Sequence, residues 1–389
     1  MIRTLFRTLI LLTFLTGCAS TEETAQPPNT PVMVAIGTYT RTEGHVDGKA
    51  EGIYLARTDS TGFLTMVDTI TGIVNPSYLA FSPDGKTLFA VSELSPGFDT
   101  TGYVYSYAIP EEGPAVLRSR QPTYSHAPCH VRVHPSGEWI LVSNYVGGVV
   151  AVYPVDEDGL IETATQVLTH EGTGIHARQE SSHPHATTFA NGGSEVMVTD
   201  LGANVIWWYD FDKTVGRLTQ TGQYRVELPP ASGPRHMVVH PSGEYWYVLN
   251  ELSNTLATFQ RKGDEVSLVD TVATLPAGVR VANNTADIRW HDGGHLYTSN
   301  RGHNSVAHFR LDENQRPVFE GTYPSGGDAP RHIRLDPDQE HLIVANQNTD
   351  LLVRYSVDAQ TGTLTAKDSL RVATPVCIAF QPQPHVSED

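Results

Sequence analysis

Cysteine and basic residues are both scarce in this chain of 389 residues. Only Cys129 and Cys377 lie beyond the N-terminal segment, so at most one disulfide could form in the body of the protein. Lys and Arg number 26 against 43 Asp and Glu, which gives a formal net charge of −17. Because nucleic acid binding needs a basic face, this charge argues against nucleic acid as a partner.

Two further absences narrow the possible functions. The chain has no Gly-Xaa-Ser-Xaa-Gly run, so a serine triad of the α/β-hydrolase type is not supported. It also lacks a residue spacing typical of metal sites, despite its 17 histidines. What the chain does contain is frequent turns, with 33 Gly and 25 Pro, and 39% apolar residues, enough for a sizeable core.

The N-terminus carries Arg3 and Arg7 before a short apolar run at 9–15. This run is far shorter than the ~20 residues that span a bilayer, and its pattern is typical of a secretory signal peptide. The ending Leu-Thr-Gly-Cys at 15–18 resembles the bacterial lipobox, which implies a lipid on Cys18; a plain signal peptide with a chance cysteine is the alternative. We predict a lipoprotein signal peptide at 1–18, a polar tether at 19–30 and a monomer anchored in the cell envelope, at the outer membrane.

One motif recurs through residues 31–389: a Pro, two variable residues, an apolar residue, a turn, an apolar run, then Asn or Ser with a polar partner. Ala286 replaces the Pro in one copy. A period near 50 residues, built of short alternating runs, is typical of a β-propeller with four strands per blade. The Pro positions are Pro76, Pro128, Pro184, Pro234, Pro330 and Pro375.

The two ends of the repeat region complement each other. Residues 374–380 form a first strand without followers, and the runs 32–39, 52–57 and 62–67 form three strands without a first. Joined in one sheet they would close the ring and remove its open edges. We therefore predict one all-β domain, a seven-bladed propeller whose last blade is closed by the N-terminal strands and the C-terminal strand. Cys129 and Cys377 would then lie two blades apart as free, buried thiols.

The repeat register predicts two rings of side chains on one face, because the loop before the first strand and the loop after the second lie on the same side. The first ring follows each Pro position and contains Ser77, Cys129, His185, Arg235, Asp287, Arg331 and Val376. The second ring ends each second strand and contains Glu93, Tyr145, Leu201, Glu251, Arg301, Gln347 and Tyr39.

Charged residues dominate these rings in blades three to six, where a purely structural propeller would have small or apolar residues. One interpretation is that the charges pair with each other and hold blades together. We favour an anion-recognising active site, because Arg forks suit carboxylate and phosphate, and His and Glu supply base chemistry. The predicted catalytic residues are His185, Arg235, Glu251 and Arg301. The predicted substrate-binding residues are Arg331, Glu93, Tyr145, Asp287 and Arg178.

Other polar and aromatic residues are interpreted as structural. His130, His236 and His332 sit one residue beyond the first ring, so strand alternation should point them between blades. The polar run at 170–183, which includes His183, lacks an apolar period and is expected at the surface. Core positions are expected for Trp207, Trp208 and Trp246. No metal and no cofactor are predicted, because the rings offer Arg where a cation would need carboxylates.

A set of sequence runs follows in a fixed order along the chain: Pro-Cys-His-Val-Arg-Val-His-Pro-Ser-Gly (128–137), Ser-Asn-Tyr-Val-Gly-Gly (143–148), Arg-Gln-Glu-Ser-Ser-His-Pro-His (178–185), Gly-Pro-Arg-His (233–236), Leu-Asn-Glu-Leu-Ser-Asn (249–254), Ser-Asn-Arg-Gly-His-Asn (299–304), Ala-Pro-Arg-His (329–332) and Val-Ala-Asn-Gln-Asn-Thr-Asp (344–350). In this order the runs resemble the seven-bladed propeller lactonase family, which contains propeller-type 6-phosphogluconolactonases and fungal carboxy-muconate lactonizing enzymes. The resemblance covers residues 32–382 and implies that His185, Arg235, Glu251 and Arg301 form the active site. Asp287 departs from the Glu that the family pattern suggests, and Arg289 from a His.

These observations lead to three hypotheses. The first is metal-independent hydrolysis of a sugar lactone or another anionic lactone, with Arg235 and Arg301 stabilising the oxyanion and His185 or Glu251 as the base. The second is a muconate-type lactonizing cycloisomerase that uses the same residues. The third is a non-catalytic binding propeller on the envelope, since one fold hosts many functions. The predicted signal peptide would carry the protein out of the cytoplasm. Because 6-phosphogluconolactone is made in the cytoplasm, an exported protein should rarely meet it.

Overall fold

The computed structural model describes residues 31–44 and 46–383. The predicted signal peptide, tether and lipidated Cys18 lie outside the described residues. The described chain folds into seven four-stranded antiparallel sheets and one two-stranded ribbon, Thr42–Glu43 with Val46–Asp47. It contains two short 3₁₀ turns, Asn191–Gly193 and Gln347–Thr349, and no helix of the described residues is long and apolar enough to cross a membrane.

Six blades follow one another along the chain, and each uses four consecutive strands. Blades 1 to 3 consist of Leu79–Phe81, Thr87–Ser92, Tyr103–Ala108 and Val116–Pro122; His126–Val133, Trp139–Val146, Val149–Pro154 and Gln166–Thr169; and Pro184–Ala190, Glu195–Asp200, Val205–Asp212 and Arg217–Glu227. Blades 4 to 6 consist of Pro234–Val239, Tyr245–Asn250, Thr255–Lys262 and Glu265–Ala273; Asn284–His291, His295–Arg301, Ser305–Leu311 and Pro317–Pro324; and Pro330–Leu335, His341–Asn346, Leu351–Val357 and Leu364–Arg371.

Blade 7 joins the two ends of the chain. The C-terminal strand Pro375–Phe380 pairs with Met33–Thr38, which continues into Gly52–Thr58 and Leu64–Thr71. The first strand of every blade contacts the first strand of the next blade, including the contacts from blade 6 to blade 7 and from blade 7 to blade 1. The ring is therefore closed as predicted, and the first strands surround a central axis.

A β-bulge occurs at the start of the first strand in six of the seven blades. In blade 4, Pro234 pairs with Asn250 and His236 pairs with Leu249, so Arg235 is the extra residue between them. A bulge re-aims side chains, because two residues on one strand then oppose one on its partner. Arg235 and His236 can therefore both turn toward the axis, which simple alternation would forbid.

The prediction that His130, His236 and His332 point between blades is wrong. They come from blades 2, 4 and 6, which are not neighbours, yet they gather around Tyr78 of blade 1. The ring centroids of His130 and His236 are 5.8 Å apart, and those of Tyr78 and His332 are 5.9 Å apart. Rings from alternate blades can meet in this way only at the axis, so these histidines form a second layer beneath the first ring.

The predicted register of blade 5 is also wrong by one residue. Thr285 pairs with Asn300 as Pro234 pairs with Asn250, so Thr285 and not Ala286 occupies the Pro position. Asp287 therefore belongs to the deeper layer with His236 rather than to the first ring. In the other blades the Pro and the turn length fix the predicted register. Blade 5 has no Pro at this position and a shorter turn, so its register was predicted wrongly.

The core lies between the faces of neighbouring blades. Trp208 of blade 3 and Trp246 of blade 4 meet edge to face, with ring centroids 5.2 Å apart, and both are almost fully buried. Trp207 is buried as well, which confirms the core positions predicted for all three. Cys129 and Cys377 are free and buried, as predicted from the register.

We expect Trp246→Ala to lower the free energy of unfolding by roughly 3–5 kcal/mol, because it leaves a cavity between two blades. Denaturant unfolding followed by fluorescence and circular dichroism measures this loss. Val215→Ala, at a position that is 50% exposed, is the control and should change stability little. A loss below about 1 kcal/mol for Trp246→Ala would contradict this account of the core.

Candidate active site

The polar run at 170–183 is held in place by Asp200, the last residue of the second strand of blade 3. Ser182 Oγ donates to Asp200 Oδ2 (2.5 Å), and the His183 backbone N–H donates to Asp200 Oδ1 (2.7 Å). Gln179 is fully buried and donates to Leu201 O (2.9 Å). The expectation of a surface loop is therefore wrong for this end of the run, because its polar groups find partners inside.

Because the loop is held in this way, two of its side chains contact residues of the neighbouring blades. His183 stacks on Tyr145, with ring centroids 4.4 Å apart and planes 4° apart, and its Nδ1 donates to Tyr145 O (2.7 Å). Arg178 donates to Tyr145 Oη (3.1 Å) and pairs with Glu251. The loop thus brings a third guanidinium to residues that the ring register had already grouped.

A cavity of about 630 Å³ occupies this face of the propeller. Seven of the nine predicted site residues line it: His185, Glu251, Arg301, Arg331, Glu93, Tyr145 and Arg178. Arg235 and Asp287 are not in its wall. The two rings therefore do converge on one cavity, and the two exceptions lie behind it.

Glu251 is the electrostatic centre of the site. Its Oε1 lies 2.7 Å from Arg178 NH1 and 3.1 Å from Arg301 NH2, and its Oε2 lies 3.1 Å from Arg235 Nε. Burial alone would raise the pKa of this carboxyl, but Arg301, Arg235 and Arg178 outweigh burial and lower the pKa to about 2. Glu251 is therefore an ionised anchor for three cations and a very weak base.

The two predicted catalytic arginines differ in access. The Arg301 side chain is 18% exposed and reaches the cavity, and its NH2 donates to Thr285 O (3.0 Å). Burial and the nearby Arg235 and Arg331, opposed by Glu251, lower the pKa of Arg301 to about 10. Arg235 is 4% exposed and donates to the carbonyl of Ala286, so it supports Glu251 from behind the wall.

His185 lies at the inner wall of the cavity and is 5% exposed. Burial, followed by the positive charges of Arg235 and Arg331, lowers the pKa of its imidazole well below 6.5. Its Nδ1 lies 3.9 Å from Cys129 Sγ, and its ring meets Tyr145 edge to face at 5.7 Å. His185 is therefore neutral at physiological pH and can accept a proton.

A second carboxylate faces Glu251 across the cavity. Glu93 Oε2 accepts hydrogen bonds from Tyr39 Oη (2.9 Å) and Ser77 Oγ (2.5 Å). Arg331 donates to Tyr39 Oη (3.0 Å), so Tyr39 links Arg331 to Glu93. These contacts fix the Arg331 guanidinium in the wall, and they come from three separate blades.

Asp287 is fully buried beneath the cavity, which does not fit its predicted contact with substrate. His236 Nδ1 donates to its Oδ1 (2.8 Å), and Arg289 NH2 lies 2.8 Å from its Oδ2. Burial would raise its pKa, yet Arg289, His332 and His236 together hold the pKa of this carboxyl well below its usual value. Asp287 thus neutralises charge in the layer under the site.

Sequence reasoning missed several residues of the site. Asp328 and Asn348 line the cavity, where Asn348 Nδ2 donates to Asp328 Oδ2 (2.8 Å). Asp200, which anchors the loop, was also missed. Its signal is present in the sequence, since it fills the strand-end position that Asn144, Asn250 and Asn300 fill in other blades.

Within the described residues there is no group of three or more His, Cys, Asp or Glu able to hold a metal ion.

Glu251→Gln should destabilise the protein at pH 7 by roughly 3–5 kcal/mol, because it leaves three guanidiniums without their shared carboxylate. The pKa of Glu251 falls from an ordinary 4.5 to about 2 on folding, so its stabilisation is present above pH 4.5 and is lost as the pH falls toward 2. Urea unfolding at several pH values measures the difference between the two proteins. Glu313→Gln, at an exposed turn, is the matched control. A difference that grew on acidification would contradict the assignment.

Comparison with known proteins agrees with this geometry. Residues 33–380 match the family described as Lactonase, 7-bladed beta-propeller. The 6-phosphogluconolactonase of Bacillus subtilis (strain 168) is 31% identical over 352 residues, which are 89% of this chain and 97% of that protein. The periplasmic gluconolactonase PpgL of Pseudomonas aeruginosa is 29% identical with a TM-score of 0.84, over 90% of this chain and 99% of that one. The chain belongs to the seven-bladed β-propeller lactonase family.

Proposed function

We propose that this protein is a lactone hydrolase that opens a sugar lactone in the cavity on which the two rings of side chains converge. The observation that carries this proposal is the combination of a neutral His185 with the guanidiniums of Arg301 and Arg331 in one cavity wall. Hydrolysis needs a proton acceptor for water and donors for the oxyanion, and these residues supply both. No contact in the site specifically favours the cycloisomerase or the non-catalytic binding propeller.

The guanidiniums would bind the carbonyl oxygen of the lactone. Arg301 NH2 is held by Thr285 O and Glu251, and Arg331 is held by Tyr39, so both are fixed before substrate arrives. Donors that are already oriented stabilise the charge that develops on the oxygen as water adds to the carbonyl. Arg235, behind the wall, would act as a positioning residue for Glu251.

His185 is the better candidate for the base. It would take a proton from the attacking water and return it to the ring oxygen as the C–O bond breaks, which yields the hydroxy acid. Glu251 is a poor base, because its pKa is about 2 and both its oxygens are held by arginines. The neighbouring cations also make His185 a weak base, so Glu251 assists by offsetting their charge.

We further propose that the substrate is an unphosphorylated sugar lactone. Three carboxylates and three guanidiniums line the cavity, so its wall is close to balanced in charge and does not need an anionic substrate. The predicted signal peptide and the periplasmic relative support the same substrate, because 6-phosphogluconolactone is made in the cytoplasm. The lining charges are those of Glu93, Glu251, Asp328, Arg178, Arg301 and Arg331.

The envelope location, with lipid on Cys18 and an outer-membrane anchor, belongs to this proposal. It is supported by the Leu-Thr-Gly-Cys run at 15–18 and by the periplasmic location of the Pseudomonas relative. Residues 19–30 would act as the tether between the lipid and the propeller. We propose a monomer that works without metal or other cofactor.

Arg301→Ala should reduce kcat for glucono-δ-lactone by about 10²–10³-fold, the cost of losing one oxyanion donor. A pH-stat assay that subtracts the spontaneous reaction measures this rate. Arg316→Ala removes an exposed guanidinium outside the cavity and should leave the rate unchanged. Equal rates for Arg301→Ala and the parent protein would contradict the proposed site.

His185→Gln should reduce kcat/KM by about 10²–10⁴-fold, the usual contribution of a general base. In the parent protein, the pKa of His185 lies well below 6.5, so kcat/KM should stay constant as pH falls through 6.5 and decline only in more acidic buffer. His240→Gln, on the opposite face, is the control. An acid limb centred at or above pH 6.5 would show that another group is the base.

A further inference from the structure

Three arginines share one level of the propeller, below the histidine layer. Arg132, Arg289 and Arg334 lie two residues after His130, Asp287 and His332 on the first strands of blades 2, 5 and 6. Side chains two residues apart on a strand share a face, so the arginines follow the histidine layer toward the axis. They lie three residues beyond the first ring, which is about 10 Å along the strand at roughly 3.3 Å per residue.

These arginines carry more charge than their surroundings neutralise. Asp287 pairs with Arg289 at 2.8 Å, but neither Arg132 nor Arg334 has an ion pair within residues 31–44 and 46–383. The Nε atoms of Arg289 and Arg334 are buried without a hydrogen-bond partner. Burial, and next the charge of Arg289, lowers the pKa of Arg334 to about 10. Two positive charges are therefore left over at this level.

The other four blades leave room beside the arginines. At the same register position they carry the smaller side chains of Ala80, Thr188, Val238 and Ala379. Arg132 is exposed and Arg334 is half-buried, so this level opens to solvent on the face opposite the cavity. We call this level, defined by Arg132, Arg289 and Arg334, the far mouth. Arg132 lines one pocket on this face, and Arg289 and Arg334 line a second.

We propose that the far mouth is a binding site for a small oxyanion with two negative charges, of the phosphate or sulfate class. The forks of Arg132 and Arg334 and the two uncompensated positive charges match such an ion, because each fork can donate two hydrogen bonds to neighbouring oxygens. Arg289 contributes its charge alone, because its NH1 already donates to Ile288 O and its NH2 to His332 Nε2. The ring of first strands limits the occupant to a small ion. The site is separate from the lactone cavity and does not depend on the proposed lactonase activity.

Titration calorimetry with inorganic phosphate at low ionic strength tests this site. Arg334→Gln and Arg132→Gln should each weaken one binding event by about tenfold or more, as expected when a charge-assisted hydrogen bond is lost. Arg301→Ala in the lactone cavity should leave that event intact. Phosphate binding that is absent at millimolar concentration, unchanged in both far-mouth variants, or abolished by Arg301→Ala would overturn the proposal.

Thermal unfolding gives a second readout that a purely structural role would not produce. Without phosphate, Arg334→Gln should raise the Tm, because it removes a half-buried charge that repels Arg289. Phosphate should raise the Tm of the parent protein more than that of Arg334→Gln, and lactone turnover should be equal in both. If Arg334→Gln does not fold, the exposed Arg132→Gln takes its place. A lower Tm without phosphate together with equal phosphate stabilisation of both proteins would refute the site.

Discussion

The structure of the site depends on one buried carboxylate. Glu251 holds guanidiniums from three separate parts of the chain: Arg178 from the loop before blade 3, Arg235 from blade 4 and Arg301 from blade 5. Without a shared anion these cations would repel each other in a poorly solvated space. With it, Arg178 and Arg301 form a fixed part of the cavity wall with Arg235 behind them, and the three charges together keep Glu251 ionised. Burial, and next the charge of Arg235, keep His185 neutral.

The repeated bulge is the backbone feature that makes this charge density possible. In a regular strand, alternate side chains would leave the axis, and only one residue of each Pro-Xaa-His run would face it. The bulge turns both residues inward, so Arg235 reaches Glu251 behind the cavity wall while His236 lies in the layer below. The axis thus carries three levels of polar residues: the cavity wall, the histidines with Asp287, and the arginines of the far mouth.

The sequence predicts the fold well, because one repeat unit recurs seven times, six times with its Pro, and the two ends supply complementary strands. It also brings His185, Glu251 and Arg301 to one face, since their register needs only strand direction. It fails where local geometry departs from simple alternation. The bulges turn His236 and the equivalent histidines toward the axis, whereas simple alternation predicted a direction between blades. The missing Pro in blade 5 led to a wrong predicted position for Asp287. The burial of Gln179 depends on its hydrogen bond to Leu201, which no local sequence pattern reveals.

The family relationship and the carboxylate of Glu251, held by arginines, together support lactone hydrolysis in this cavity. The most direct test is the kcat/KM of the purified protein for glucono-δ-lactone and for its 6-phosphate, measured side by side with folded Glu251→Gln. The account predicts catalysed hydrolysis of the plain lactone at least as efficient as that of the phosphate, and a loss of about 100-fold or more in the variant. Turnover that is unaffected by Glu251→Gln, or absent with both lactones, would contradict it.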